Sequence, residues 1–86
     1  AEFETLDAAF AKKLEIDGGV RVKDIFSGKL MKETQMREGF IITKVNGRKI
    51  KSVEELVEKL DGRKGGVMLE GIYEDVPGEY FYAFGL

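Results

Sequence analysis

The sequence predicts an α+β fold, mainly β, in which five to six short antiparallel strands form a partly open barrel or sandwich capped by two or three short helices. Short runs in which apolar and polar residues alternate predict the strands, and glycines between these runs predict tight turns. With 86 residues, of which 43% are hydrophobic, the chain has material for one modest core. Residues 1–86 are therefore predicted to form a single domain.

The first third of the chain predicts two strands with a helix between them. Residues 2–6 (EFETL) place Phe3 and Thr5 on one face and Glu2 and Glu4 on the other, which predicts a short strand. Asp7 is a helix-capping residue, and the helix that it starts is expected to stop at the Asp-Gly-Gly sequence of residues 17–19. Residues 20–26 predict the next strand, whereas residues 29–36 fit either a short helix or a loose connection.

The middle of the chain carries the strongest local signals. Residues 40–45 are rich in β-branched and aromatic side chains, and the Asn-Gly pair at 46–47 predicts a tight reversal into a brief return strand at 48–50. Ser52 followed by Glu55 matches the S-x-x-E capping box of a helix start. The apolar stripe of that helix consists of Val53, Leu56, Val57 and Leu60.

A hairpin closes the predicted fold. Residues 67–73 are expected to pair with residues 80–84 across a turn around Pro77-Gly78. The side chains predicted to be core throughout are Phe40, Ile42, Val45, Ile50, Leu56, Val67, Leu69 and Phe81.

Catalytic chemistry is restricted by two missing residue types. The chain has no histidine and no cysteine, so it cannot build a Ser-His-Asp or Cys-His arrangement, a zinc site based on these residues, or a disulfide. The carboxylates at residues 54–58 follow the solvent face of the predicted helix. The glycine pairs lack the Lys-Ser/Thr ending of a phosphate-binding loop. No catalytic residue, metal or cofactor is predicted.

The charge and hydropathy patterns restrict the classes of partner that are expected. The formal net charge is -2, and lysines and arginines are scattered among acidic residues, which argues against a nucleic-acid surface. No apolar run approaches the roughly 18 residues of a membrane span, so direct membrane insertion is not expected. A protein or peptide partner remains.

Two segments and the closing hairpin resemble a known family. KKLEIDGGVRVKDIFSGKL (residues 12–30) and MREGFIITKVNGRKIKSVEELVEKL (residues 36–60) resemble the PDZ domains of HtrA/Deg-family serine proteases of the DegP/DegQ type. The most specific part is residues 37–56, although this chain has Gly39-Phe40 where the family more often has Gly-Asp. The resemblance implies the C-terminal PDZ domain of a bacterial serine protease in the periplasm or cell envelope, with catalysis in another part of the parent protein.

The resemblance also implies a mechanism of peptide binding. A PDZ domain takes the last residues of a partner as an extra antiparallel strand between a strand edge and a helix, with backbone hydrogen bonds for affinity and pockets for selectivity. Here these elements are the EFETL strand and the SVEELVEKL helix. The residues implied to bind the peptide are Ala1, Glu2, Phe3 and Glu4 in the strand and Val53, Val57 and Leu60 in the helix.

The strand residues divide into two roles. Ala1 and Phe3 are expected to face the pocket for the terminal side chain, and Glu2 and Glu4 to contribute backbone groups. The family's Gly-Leu-Gly-Phe type loop, which receives the ligand carboxylate, is expected upstream of Ala1.

The helix residues predict the ligand. Val57 and Leu60 are expected to close the terminal pocket, while Val53 contacts the residue two positions before the ligand's end. Because Val53 is apolar, an apolar ligand side chain is expected there instead of Ser or Thr. The implied partners are C-terminal or unfolded segments of proteins and the protease domain of the parent chain.

Simpler interpretations stay open for several of these residues. Val57 and Leu60 also fit an ordinary amphipathic helix that docks on a sheet, and Phe3 also fits an edge-strand anchor. The alternative function is a structural or oligomerisation domain of the same fold with a closed or incomplete groove.

Overall fold

One open antiparallel sheet of six strands organises the residues that the computed structural model describes, which are 2–24, 36–61 and 65–85. The strand order is β1-β2-β3-β5-β6, with β4 paired to β3. With its two short helices, this sheet confirms the predicted mainly-β fold class. The elements are β1 (Glu2–Thr5), α1 (Ala8–Lys13), β2 (Val20–Asp24), β3 (Ile41–Val45), β4 (Arg48–Lys49), α2 (Val53–Leu60), β5 (Gly66–Tyr73) and β6 (Val76–Gly85).

Three sequence expectations lie wholly or partly outside the described residues. These are the placement of Ala1 as a peptide-binding residue, the continuation of the second strand over residues 25–26, and the choice between a helix and a loose connection over most of residues 29–36. Among the described residues, neither helix is long and apolar enough to cross a membrane.

Helix α1 starts where the sequence predicts and ends earlier. The Asp7 side chain accepts a hydrogen bond from the Ala9 backbone N–H at 3.0 Å, which caps the helix. Glu15 then adopts a positive φ of 62°, and the Ile16 N–H donates to the Ala11 C=O at 3.0 Å. The left-handed backbone at Glu15 turns the chain out of the helix before the Asp-Gly-Gly sequence is reached.

The β3–β4 turn is tied to the neighbouring strand. Asn46 and Gly47 have φ of 51° and 83°, as the predicted Asn-Gly reversal requires. The Asn46 N–H donates to the Met68 C=O, and the Met68 N–H donates to Asn46 Oδ1, both at 2.8 Å. The turn therefore fixes the position of β5 beside β3.

Helix α2 has the predicted start. The Ser52 hydroxyl accepts a hydrogen bond from the Glu55 N–H at 3.2 Å, and the Asp61 N–H closes the helix on the Val57 C=O at 2.8 Å. Leu56 lies on the inner side of the helix and is buried. Its burial holds α2 against the sheet.

The two faces of the sheet carry separate apolar clusters. On one face, α1 and neighbouring side chains cover Ile41, while on the other α2 covers the larger cluster around Phe40 and Ile42. The period-two alternation of β3 sends Ile41 and Ile42 to opposite faces. The predicted core residues that are buried are Phe40, Ile42, Val45, Ile50, Leu56, Val67 and Leu69.

The prediction of Phe81 as a core residue is wrong, since its side chain is 57% exposed. Tyr80 and Tyr82 take the inward positions of β6, where they pack against the main cluster. Alternation along the strand therefore turns Phe81 outward.

The predicted turn of the closing hairpin is also misplaced. Tyr73 pairs with Val76, so the reversal lies at residues 74–75. Pro77 and Gly78 belong to β6, and the register shifts beside them. Because β6 is an edge strand, it can accommodate a proline and a glycine with φ of 98°.

Aromatic rings fill the core beside β5 and β6. The Phe40 ring lies 5.1 Å from Tyr73 and 4.9 Å from Tyr82, between ring centroids. The Tyr73 and Tyr82 hydroxyls form a hydrogen bond at 2.7 Å, and the Arg37 N–H donates to the Tyr73 hydroxyl at 3.1 Å. Burial, and then the hydrogen bond with Tyr73, raise the pKa of Tyr82 to about 12.

This raised pKa predicts a loss of stability in alkali. Tyr82 stays neutral in the folded chain up to a pKa of about 12, against an ordinary value of 10.0. Between these values the unfolded chain loses a proton that the folded chain keeps, so the free energy of unfolding falls as pH rises. Denaturant titrations from pH 8 upward should show this slope, and Tyr82→Phe should flatten it. An unchanged slope in the variant would contradict the assignment.

Gly71 predicts a second stability effect. A Cβ there would collide with the Ile41 carbonyl and lie 2.9 Å from the Phe40 ring. Gly71→Ala should therefore lower the free energy of unfolding by about 3 kcal/mol. Gly66→Ala in the same strand is the matched control, since no atom lies within 4 Å of its Cβ position. Urea unfolding of both variants checks this, and equal stabilities would refute it.

Candidate functional site

The open edge of β1 lies beside helix α2 and forms the candidate site. Among the described strands, β1 pairs with β2 on one side and ends the strand order on the other. Helix α2 contacts β1 directly. The sheet thus brings together the strand and helix that the sequence implies for peptide binding.

The backbone of Phe3 points to this open edge. Phe3 lies opposite Val22 in the register. Val22 uses both of its backbone groups on the β3 side: its N–H donates to the Phe40 C=O at 2.8 Å, and its C=O accepts from the Gly39 N–H at 2.7 Å. The Phe3–Val22 pair is therefore the non-hydrogen-bonded type, in which the N–H and C=O of Phe3 face away from β2.

Thr5 repeats this orientation two residues later. The next residue, Leu6, donates its N–H to the Gly19 C=O at 3.0 Å, so alternation turns the backbone groups of Thr5 to the open edge. The resemblance assigned the backbone contacts to Glu2 and Glu4. The register differs at Glu4, which directs its N–H and C=O toward β2, while Phe3 and Thr5 face the open edge. The role of Glu2 stays a prediction.

The Glu4 carboxylate lies on the opposite face of the sheet from the main core. It is 3.5 Å from the Arg21 guanidinium and 3.8 Å from the Lys23 ammonium. These partly exposed ion pairs contribute little to stability. Their geometry keeps the charge of Glu4 away from the helix side of β1.

Three predicted site residues share one apolar cluster. Phe3, Val53 and Leu60 are all partly buried and pack against the main core. Phe3 on β1 and the two α2 residues therefore provide the apolar surface between this strand and this helix. This arrangement fits both interpretations of Phe3, as part of a groove and as an edge-strand anchor.

Val57 differs from these three residues by being accessible. Its side chain is 56% exposed, although it follows Val53 by one helical turn on the same side of α2. An exposed valine beside an open strand edge offers apolar surface that a docked side chain would cover. Peptide contact by Val57 stays a prediction.

Thr5 is a site residue that the sequence pattern did not single out. Its hydroxyl accepts a hydrogen bond from the Val53 N–H at 2.9 Å. This bond satisfies an N–H of the first helical turn and holds that end of α2 on β1. The available signal was the period-two spacing of Thr5 from Phe3, which puts both side chains on one face of the strand.

A separate cleft of about 390 Å³ contains none of the predicted peptide-binding residues. The Lys49 ammonium is 2.8 Å from the Asp17 carboxylate, and Lys44 is 3.4 Å from Glu70. The hydrogen bond between Asp17 and Lys49 lowers the pKa of Asp17 and raises that of Lys49. Each of the two lysines that line this cleft is thus paired with a carboxylate.

Metal chemistry receives no geometric support from the described ranges. Within 2–24, 36–61 and 65–85, no three Asp or Glu side chains come close enough together to hold an ion. The candidate site consists of apolar side chains and backbone hydrogen-bonding groups, which together suit an extended chain.

Comparisons with known proteins place this geometry in a known fold. No family model matches the sequence, and no curated protein matches it. Among solved structures, the HtrA3 PDZ domain bound to a phage-derived ligand (FGRWV) is similar with a TM-score of 0.78 and 20% sequence identity. The match covers 98% of this chain and 78% of that chain. The chain therefore has a PDZ fold.

The Thr5–Val53 hydrogen bond predicts a measurable effect on stability. Thr5→Val keeps the β-branched shape and removes the acceptor of the Val53 N–H. We expect the free energy of unfolding to fall by about 0.5–1 kcal/mol. Thr5→Ser is the matched control and should retain most of the stability. Urea unfolding measures both, and equal losses would show that the hydroxyl is unimportant.

Proposed function

We propose that this chain is a peptide-binding module that takes the C-terminal residues of a protein partner as an added strand on β1. The single observation that carries the proposal is the orientation of Phe3 and Thr5, whose backbone N–H and C=O groups face the open edge beside α2. An edge of this kind is a template for another strand.

The structural neighbour supports this mode of binding. The HtrA3 PDZ domain is described with a ligand of sequence FGRWV, which ends in valine. In the present chain, Phe3, Val53, Val57 and Leu60 make the helix side of the edge apolar. We therefore propose apolar C-termini, or unfolded segments with apolar side chains, as ligands.

The parent protein is proposed to be an HtrA/Deg-like serine endopeptidase or chaperone, of the DegP/DegQ type, in the bacterial periplasm or cell envelope. The resemblance of residues 37–56 and the likeness of fold support this context. In it, the module delivers bound segments to the protease domain or regulates that domain. The chain itself is proposed to contribute binding, because without histidine or cysteine it cannot build the Ser-His-Asp triad of such a protease.

A second function is a structural or oligomerisation domain whose groove is closed. The observation that favours it is the hydrogen bond from the Val53 N–H to the Thr5 hydroxyl, which fixes the first turn of α2 directly on β1. A groove narrowed at this end would admit fewer ligand residues. The two functions differ in whether a free peptide binds at all.

A peptide titration tests the proposal. A fluorescent FGRWV peptide with a free carboxylate should bind the protein with a Kd in the micromolar range, about -8 kcal/mol. The amidated peptide should bind at least about tenfold more weakly, a difference of about 1.4 kcal/mol, because it lacks the terminal charge. Fluorescence anisotropy measures both.

Two helix variants test the groove in the same assay. Val57→Glu should weaken binding at least about tenfold by placing a carboxylate against the apolar ligand. Lys59→Glu is the control, since it changes charge at another exposed position of α2 and should leave binding nearly intact. Unchanged binding by Val57→Glu would reject the groove. Absence of binding by any apolar C-terminus would favour the structural function.

A further inference from the structure

The second edge of the sheet is protected along half of its length. β6 spans Val76–Gly85 and ends the strand order beyond β5. Its first half contains Pro77, Gly78 and Glu79, which interrupt or repel an added strand. The residues after Glu79, YFYAFG, contain no charge and no proline. Within the part of the chain that the structure describes, residues 80–85 therefore form an edge without the usual protection against pairing.

The hydrogen-bonding groups of this half are directed outward. Met68 donates its N–H to the Asn46 side chain and accepts the Asn46 N–H on its C=O, so both of its backbone groups face the β3 side. Ala83 is opposite Met68 in the register. In such a non-hydrogen-bonded pair the Ala83 groups face the open edge, and alternation gives Phe81 the same orientation.

The side chains of the same residues are exposed. Phe81 is 57% exposed, and Met68, on the neighbouring strand, is 46% exposed. Ala83 lies opposite Met68 and is exposed as well. The outward backbone groups are thus accompanied by apolar side chains on the outer face of the sheet.

We propose that β6 is a self-pairing edge, through which two copies of this chain associate as antiparallel strands about a twofold axis at Tyr82. This register places Phe81 of each copy opposite Ala83 of the other. Each Phe81–Ala83 pair exchanges backbone N–H···O=C bonds, because both residues direct these groups outward. The two Tyr82 residues meet at the axis.

Shape and charge favour a second copy as the occupant. In the twofold register the large Phe81 side chain is opposite the small Ala83, so two exposed rings are accommodated without overlap. Glu79, which carries the charge of β6, falls opposite Gly85 and avoids its own counterpart. The equivalent register for β1, with the axis at Glu4, would instead place the two Glu4 residues opposite each other, and like charges across a strand pair are destabilising.

The paired form would leave peptide binding unobstructed. β1 and β6 lie at opposite ends of the strand order, so joining two β6 strands keeps both β1 edges open. The dimer would present two candidate grooves on one continuous sheet. A partner with two apolar C-termini would then bind more tightly than either site alone permits. The association itself does not require that the grooves bind peptide.

Sedimentation velocity and hydrogen exchange test the proposal on the whole chain. Raising the concentration to about 1 mM, which detects association as weak as about -4 kcal/mol, should convert monomer to dimer. The Phe81 and Ala83 amides should become protected over the same range, while those of Phe3 and Thr5 should not. A chain that stays monomeric to this concentration, or that protects the β1 amides instead, overturns the proposal.

Variants of Ala83 test the backbone contact. Ala83→Pro removes an N–H that faces the open edge, where the β5–β6 ladder does not use it, and should abolish the dimer. Ala83→Ser keeps the N–H and should still dimerise. If the proline variant is not folded by near-ultraviolet circular dichroism, Phe81→Glu provides the second test, since its exposed side chain lies outside the core. Dimers that survive Phe81→Glu overturn the proposal.

Met68→Glu separates edge pairing from packing between sheet faces. Met68 shares the exposed apolar surface, yet its backbone groups are bound to Asn46. Edge pairing predicts that this variant weakens the dimer much less than Phe81→Glu does. Equal weakening by the two variants would show stacked faces and reject the strand pair.

Discussion

The paired hydrogen bonds between Asn46 and Met68 determine much of what the sheet presents to its surroundings. They join the turn after β3 to β5 through both backbone groups of Met68. Because side chains and hydrogen-bonding directions alternate along a strand, fixing one residue fixes its whole strand. Leu69 consequently enters the core and Met68 faces solvent. Because β6 pairs with β5, its residues alternate between the same two faces. A one-residue slip would exchange the buried and exposed faces.

The two edges of the sheet are managed by different means. β1 carries glutamates and has helix α2 beside it, so a strand that pairs with β1 also contacts the side chains of α2. β6 depends on Pro77, Gly78 and Glu79, which protect only the half nearest the turn. The β1 edge with α2 suits selective contact with an extended chain. At the β6 edge, by contrast, only the backbone and side chains of β6 are available to select a partner.

Local chemistry in the sequence predicted much of the fold. The Asn46-Gly47 reversal, the Ser52 cap and the stripe containing Leu56 all depend on neighbouring residues, and the structure has each of them. The predicted mainly-β class followed from this order of elements, and the PDZ-like fold followed from the family resemblance of residues 37–56. These features are readable because their hydrogen bonds and packing are specified within a few residues.

The features that were missed depend on distant residues. Pro77-Gly78 is a typical turn sequence, but an edge strand also tolerates it, and no local signal identifies β6 as an edge. Phe81 looked like core because its inward or outward direction depends on the register with β5. The backbone direction of Glu4 depends on which strand β1 pairs with, and the contact between Thr5 and α2 depends on the tertiary fold.

The Asn46-Gly47 turn also links the fold to chemical ageing. In an Asn-Gly sequence the glycine nitrogen can attack the carbonyl carbon of the asparagine side-chain amide and displace ammonia, since glycine has no side chain to hinder the approach. Water then opens the resulting succinimide ring, and one product is isoaspartate, in which the main chain runs through an extra carbon. Here Asn46 Oδ1 is held by the Met68 N–H, which restrains the side chain from the attack geometry. The bond that sets the register thereby also protects the covalent backbone on which that register depends.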